Sequence, residues 1–206
     1  MKSNYLNIIS ILAILSLFSI ASCSHDDPKK EDVPELITTV KLTFTPDGGG
    51  DAIIVAATDP DGEGVAPITV DGPINLTSNT TYTLKVSLVN ELADPSSAAY
   101  DITKEVEAEG DEHMFFFSWT NDMFSDPGGN GNIDNRNDVV KYTGAENSID
   151  ANGLPLGLTT TWKTSADATS GNFRVLLKHQ PDLKSAASDS SMGETDLDVT
   201  FGINVD

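Results

Sequence analysis

Cysteine is almost absent from this sequence, since Cys23 is the single cysteine among 206 residues. An intramolecular disulfide is therefore excluded. The chain from residue 24 onward also has no cysteine that could act as a nucleophile. Whatever stabilises the fold must come from packing and hydrogen bonding.

Basic residues are scarce as well, with 12 Lys and Arg against 32 Asp and Glu and a formal net charge of −20. A phosphate backbone would be repelled by such a surface, and no cluster of Lys and Arg offers a local exception. These features exclude nucleic acid as a partner.

Hydrophobic runs long enough to cross a bilayer are also lacking. The apolar stretch at residues 6–21 is shorter than the roughly 20 residues that a transmembrane helix needs. It follows Lys2 and precedes small residues, which predicts a secretory signal peptide over residues 1–22. A permanent transmembrane anchor is the weaker alternative.

Ile20, Ala21, Ser22 and Cys23 resemble a bacterial lipobox, in which the cysteine receives a diacylglycerol and becomes the mature N-terminus. Lipidation of Cys23 explains the lone cysteine better than packing does. Several acyl chains anchor a protein to a membrane almost permanently, because each buried methylene contributes about 0.8 kcal/mol. We therefore expect a lipid-anchored protein.

Residues 23–34 are polar and contain two prolines, so we interpret them as a flexible tether. The acidic pair Asp26 and Asp27 resembles the signal that carries Bacteroidota lipoproteins to the outer face of the outer membrane. An ordinary linker that faces the periplasm is the alternative. His25, within this tether, is expected to be solvated only.

Alternation of apolar and polar residues dominates residues 35–206 and predicts strands. Turns rich in Gly, Asn, Asp and Pro separate them. About eight strands and no long amphipathic helix predict an all-β fold, an antiparallel β-sandwich of immunoglobulin-like character. The predicted strands are 36–45, 52–58, 81–90, 113–119, 139–143, 158–164, 173–179 and 195–205.

Three segments do not follow the alternation. Residues 121–138 are rich in Asn, Asp and Gly and predict an inserted loop, and residues 185–193 predict a second mobile stretch. In residues 102–108, Ile102 and Val106 are spaced for a two-turn helix or a charged edge strand. We favour the edge strand or irregular structure.

Two histidines lie at the ends of predicted strands, His113 at the start of one and His179 at the end of another. If these strands are antiparallel neighbours, the imidazoles approach within about 5 Å. With a carboxylate from Asp111, Glu112 or Asp182, they would suit Zn²⁺ or Cu²⁺. Two unrelated histidines that hydrogen-bond at strand ends are the alternative.

A second candidate metal site is the acidic turn that contains Asp59, Asp61 and Glu63. Its Asp-x-Asp-Gly spacing is found in loops that wrap Ca²⁺, although the full twelve-residue calcium-loop pattern is absent. Because Asp and Gly are common in turns, an ordinary acidic turn is the alternative.

Six stretches of the chain resemble a family of short uncharacterised Bacteroidota lipoproteins. They are ELITTV (35–40), FTPDGGG (44–50), TTY (80–82), DEHMFFF (111–117), NGLPLGL (152–158) and ETDLDVTF (194–201). Members are often labelled as a type 1 periplasmic binding fold, and the resemblance implies a lipoprotein of the envelope. The repeated βαβ units that such a binding fold requires are not visible in this sequence.

Three functions agree with these features. The first is a non-enzymatic binding or accessory module, lipid-anchored at the outer membrane, with an outer-membrane protein as partner. The second is a lipoprotein that captures zinc or copper for an outer-membrane receptor. The third, an envelope hydrolase, is the weakest, because no Gly-x-Ser-x-Gly motif is present and no catalytic residue can be assigned.

Overall fold

The alternating segments of the sequence form the strands of the computed structural model. The structure describes residues 35–62, 64, 66–134, 138–142 and 147–206. Its strands are β1 (Thr39–Pro46), β2 (Ile53–Thr58), β3 (Thr69–Val70), β4 (Ile74–Leu76), β5 (Thr81–Val89), β6 (His113–Trp119), β7 (Phe124–Asp126), β8 (Thr159–Thr164), β9 (Thr169–His179) and β10 (Glu194–Val205). A 3-10 turn, Ala98–Tyr100, precedes helix α1, Ile102–Ala108.

The strands form two sheets. The first has six strands in the order β3-β2-β1-β5-β8-β7, and the second has four in the order β4-β10-β9-β6. All pairs are antiparallel except β10 with β4, which is parallel. The prediction of an antiparallel β-sandwich is confirmed, and its immunoglobulin-like character stays a prediction.

Aromatic side chains fill the space between the sheets. Trp162 of β8 lies edge-on to Phe117 of β6 and Phe173 of β9, with ring centroids 5.4 Å and 5.2 Å away. Phe44 of β1 packs edge-on against Phe173 at 6.0 Å. Each fully buried Phe side chain contributes about 1.5–3 kcal/mol to folding, so this cluster is a main source of stability.

Residues 102–108 form a helix, so the prediction of an edge strand or irregular structure was wrong. Ile102 and Val106 lie one helical turn apart and are both buried, because they pack toward β5. Thr103 fixes the helix to that strand, since its Oγ1 donates to the carbonyl of Leu88 at 3.1 Å and accepts from its N–H at 2.8 Å.

Two further predictions were wrong. Residues 138–142 form no strand, because the N–H of Tyr142 donates to the carbonyl of Val140 at 3.1 Å and turns the backbone. The predicted loop 121–138 contains β7, which pairs with β8. Phe124 explains this short strand, because its ring is buried 4.8 Å from that of Trp162.

Within the described part of the chain, no helix is long and apolar enough to cross a membrane. The predicted signal peptide, Cys23 and the tether at residues 23–34 lie outside the described residues.

Candidate metal centre

The register of two strands brings His113 and His179 together. β6 runs antiparallel to β9, and His113 pairs directly with His179. Their rings stack nearly parallel, with centroids 4.6 Å apart. This is the separation of a direct cross-strand pair, so the two imidazoles selected from the sequence lie side by side at one end of the second sheet.

A backbone carbonyl orients the ring of His113. Nδ1 of His113 lies 3.1 Å from the carbonyl oxygen of Glu109, the residue that follows α1. A carbonyl can only accept a hydrogen bond, so Nδ1 carries the proton. In the neutral ring, Nε2 is then the atom with a free lone pair, which is the form that binds a metal.

Two carboxylates face this Nε2 from other parts of the chain. Oε1 of Glu35, just before β1, lies 3.0 Å from Nε2 of His113, and Oδ2 of Asp196, in β10, lies 3.7 Å from it. The side chains of Glu35 and Asp196 are 4% and 0% exposed. The imidazole nitrogen therefore faces negative charge that water hardly reaches.

These distances resemble those between ligands of one ion. With bonds of 2.0–2.1 Å, two ligands of a tetrahedral zinc lie about 3.3 Å apart. Nε2 of His113 and Oε1 of Glu35 form an ion pair when the imidazole is protonated. A metal bound at Nε2 would take the place of that proton.

Four side chains make up the metal-donor group: Glu35, Glu109, His113 and His179. One ligand atom from each lies within 4.8 Å of the others. Asp196 lies outside this group but approaches His113 to 3.7 Å. Oε2 of Glu112 lies 3.4 Å from Nε2 of His179. Two imidazole nitrogens and several carboxylates form a donor set that Zn²⁺ accepts.

The pKa of each buried carboxyl reflects this crowding. Burial and the charge of Glu35 raise the pKa of Asp196 to about 8. Burial also raises the pKa of Glu35, but the hydrogen bond and charge of His113, a backbone hydrogen bond and the charge of His179 together lower it by more, and the net shift is downward. Neither oxygen of Asp196 accepts a hydrogen bond from the described residues. With this pKa, the Asp196 carboxyl is largely protonated at neutral pH, so in the metal-free protein a proton relieves its repulsion with Glu35.

Asp196 was not predicted from the sequence because a β-bulge changes the direction of its side chain. Strict alternation along 195–205 would place Asp196 on the polar face with Asp198. The register between β10 and β9 shifts between Thr195 and Leu197, so Asp196 is the extra residue. A bulge of this kind re-aims a side chain, and it turns Asp196 toward His113.

Glu35 and Glu109 were missed for different reasons. Glu35 lies ahead of the first strand and carries no local signal of a site. Glu109 follows α1, and its position four residues before His113 would have been informative if residues 102–108 had been interpreted as a helix. Of the three carboxylates proposed from the sequence, Glu112 lies at the site, whereas Asp111 and Asp182 are exposed and outside the metal-donor group.

The acidic turn proposed for calcium uses its carboxylates to hold its own backbone. Oδ1 of Asp59 accepts from the N–H of Asp61 at 3.4 Å, and Oδ2 of Asp61 accepts from the N–H of Ala66 at 3.2 Å. Such bonds are typical of turns. Glu63 lies outside the described residues, and calcium binding here stays a prediction.

A pocket of about 270 Å³ lies beside the metal-donor group. Its wall includes Glu35, Asp59, Gly62, Ile68, Asp196 and Asp198. Glu35 thus belongs both to this pocket and to the metal-donor group, while Asp59 connects the pocket to the acidic turn.

No protein-family model, curated protein or solved structure matches this chain. The function is therefore argued from the chemistry of the site, and the resemblance to envelope lipoproteins stays a prediction.

Proposed function

We propose that this chain is a metal-binding lipoprotein of the cell envelope, which captures Zn²⁺ and passes it to a partner in the outer membrane. The observation that carries the proposal is the stacked pair of His113 and His179 beside the buried carboxylate of Glu35. Metal capture was the second of the three functions that the sequence suggested. The geometry of the site favours it over a module that binds only a protein partner.

Electrostatics support a cation at this position. Buried carboxylates are costly unless a positive charge or hydrogen bonds compensate them. Lys178 is the nearby lysine that lowers the pKa of Asp196, but its Nζ donates to Oγ1 of Thr195 at 2.9 Å. A divalent cation among the four donors would offset the charge of Glu35 and Glu109 directly.

The donor types select among metals. Thiolate and thioether ligands, which copper(I) prefers, are missing from the metal-donor group. Calcium prefers a shell of six to eight oxygens, so two imidazoles disfavour it. Zinc takes imidazole and carboxylate together at tetrahedral geometry, and copper(II) competes for the same donors.

Binding agrees better with this site than catalysis does. Catalytic zinc sites keep a coordination position open for water or substrate, whereas sites that only hold the metal are closed by protein ligands. Four protein donors within 4.8 Å are enough to fill the coordination positions of a tetrahedral ion. The predicted lipid anchor at Cys23 would keep the captured metal at the membrane surface, where an outer-membrane receptor takes it up.

Metal analysis and calorimetry test the proposal on tag-free protein. We expect one zinc ion per chain. His113→Ala and His179→Ala should each reduce the affinity by more than the roughly 10- to 100-fold that accompanies loss of a partner outside the ligand set.

His25→Ala is the matched control, because it removes a histidine from the predicted tether and should leave the affinity unchanged. Titration with copper(II) in parallel establishes which ion is preferred. If zinc and copper(II) bind the wild type no more tightly than they bind the His113→Ala, His179→Ala double variant, the proposal is wrong.

A further inference from the structure

The pocket beside Glu35 and Asp196 reaches the metal-donor group, whereas two other pockets of the described surface do not. Those pockets lie near Tyr100 and near Tyr142, and no member of the metal-donor group lines either one. We propose, on the basis of the proposed function, that the pocket walled by Glu35, Asp59, Ile68 and Asp196 is the port through which the metal enters and leaves. The site would then exchange its metal without unfolding of the sandwich.

Charge along the port favours a cation. Asp198 at the wall is neutralised by Arg174, which donates from Nε and from a terminal nitrogen to its carboxylate at 2.7 Å each. Asp59 has no such partner among the described cations, and its carboxylate accepts from a backbone N–H at 3.4 Å. Asp59 and Glu35 line the same pocket, and Glu35 also belongs to the metal-donor group, so a cation in the pocket is held by carboxylates that extend to the site.

The pocket also has the volume for a hydrated ion. Six waters occupy about 180 Å³ in the liquid, and the pocket offers about 270 Å³. A divalent cation can therefore arrive with its first hydration shell. The carboxylate of Glu35, which both borders the pocket and approaches His113, is placed to replace the first water and guide the ion inward.

Ile68 provides a test, because it lines the pocket and is 38% exposed, so a larger side chain can be placed there at low risk to the core. Ile68→Trp should narrow the port. We expect association and dissociation of Zn²⁺ to slow by the same factor, roughly tenfold, with an unchanged dissociation constant. Stopped-flow mixing with Zn²⁺, and with a chelating zinc indicator for release, measures both rates.

Ile54→Trp is the matched control, since Ile54 of β2 is 59% exposed and does not line the pocket. Asp59→Asn supplies a second variant, which should slow association at low salt only, because salt screens the steering of ions by surface charge. Thermal unfolding shows that each variant is folded before its rates are measured.

The outcomes separate the port from the proposed function. Zinc binding by the wild type with equal rates in Ile68→Trp and Ile54→Trp would overturn the port and leave the metal site intact. The port proposal would also be wrong if Ile68→Trp changed the dissociation constant and did not slow association and dissociation by the same factor. Failure of the wild type to bind zinc removes the proposed function and the port together.

Discussion

His113 shows how one backbone carbonyl determines the chemistry of a side chain. The carbonyl of Glu109 accepts a hydrogen bond from the N–H of Nδ1, and Nε2 faces Glu35 and Asp196. A ring with the other tautomer would present an N–H to the metal-donor group and could not bind an ion there. The end of helix α1 therefore determines which nitrogen of a strand residue would be available to a metal.

Asp196→Asn tests the cost of burying this carboxyl. Because its pKa is raised to about 8, the folded metal-free protein must bind a proton there at neutral pH. An amide removes that requirement and can donate to Glu35. We expect the metal-free protein to become more stable at neutral pH, by about 1–3 kcal/mol, while its zinc affinity falls. Thermal unfolding in the presence of a chelator, together with zinc calorimetry, measures both effects.

Asp198→Asn is the matched control for that prediction, since it makes the same change two residues along β10. It should lower the stability by no more than about 1 kcal/mol, because the pair that it breaks with Arg174 is exposed. It should leave zinc affinity unchanged. Loss of stability in Asp196→Asn as well would show that the Asp196 carboxylate is not a source of repulsion.

A second buried ion pair lies outside the metal centre. Nζ of Lys184 lies 2.8 Å from Oδ2 of Asp150, and both side chains are 1% exposed. Lys184→Met should destabilise the fold by about 3–5 kcal/mol, because it leaves the carboxylate buried without its cation. Chemical denaturation measures this loss, and Lys41→Met on the exposed face of β1 should change the stability by less than about 0.5 kcal/mol.

Acid should weaken the same pair. Burial raises the pKa of Asp150, but Lys184 and the N–H groups of Leu154 and Asn152 lower it by more, so the net pKa lies below the usual 3.8. Stability from this group is then present above about pH 4 and lost as pH falls through the folded-state pKa. The free energy of unfolding of Asp150→Asn should fall less steeply between pH 5 and pH 2 than that of the wild type. Equal slopes would contradict the prediction.

At the scale of elements, the sequence predicts strands that are buried on one face and says little about the shortest elements. The alternation of apolar and polar residues predicts β1, β5 and β10, because their inward-facing residues pack into the aromatic core. β3, β4 and β7 have two or three residues each, too few for a period of two to be recognised. Their pairing depends on neighbours that are distant in sequence.

Helix α1 illustrates the same limit for helices. Seven residues are too few to be stable as an isolated helix in water, and most helical stability in proteins comes from tertiary packing. The decisive contacts are those of Ile102 and Val106 with the core and of Thr103 with β5. None of these contacts is encoded in the local pattern, which equally fits an edge strand.

Thr103→Val tests the attachment of α1. Valine keeps the shape of threonine but leaves the N–H and the carbonyl of Leu88 without the partner that Oγ1 provides. We expect a loss of about 1–3 kcal/mol in the free energy of unfolding. Zinc affinity should fall as well, because the end of α1 holds Glu109 and through it orients His113.

Thr200→Val, on the exposed face of β10, is the control for Thr103→Val and should change neither stability nor zinc affinity appreciably. If Thr103→Val loses stability without loss of zinc affinity, the helix stabilises the fold but does not position the site.

The candidate metal centre depends on the complete fold. Its donors come from the segment before β1, the end of α1, β6 and β9, and Asp196 comes from β10. The pairing of His113 with His179 was predictable, because strand ends that pair antiparallel must meet. The positions of the carboxylates were not predictable. Asp196 lies at a bulge, Glu109 at the end of a helix and Glu35 in a segment before the first strand.

The anchor that the sequence predicts would place this domain at a membrane. Cys23 is the single cysteine, so no other thiol of the chain could carry the lipid. Cys23→Ser should therefore abolish acylation and release the protein from the membrane fraction, because the loss of the acyl chains removes the hydrophobic anchor.

Cell fractionation followed by metabolic labelling with a fatty acid measures release and acylation separately. Ser24→Ala, at the next position, is the matched control and should stay with the membrane and take up the label. Purified Cys23→Ser protein should bind zinc as the wild type does, since the metal-donor group begins at Glu35 and includes no residue of the predicted tether. Membrane association that persists after Cys23→Ser would show that the chain is held there by something other than a lipid on Cys23.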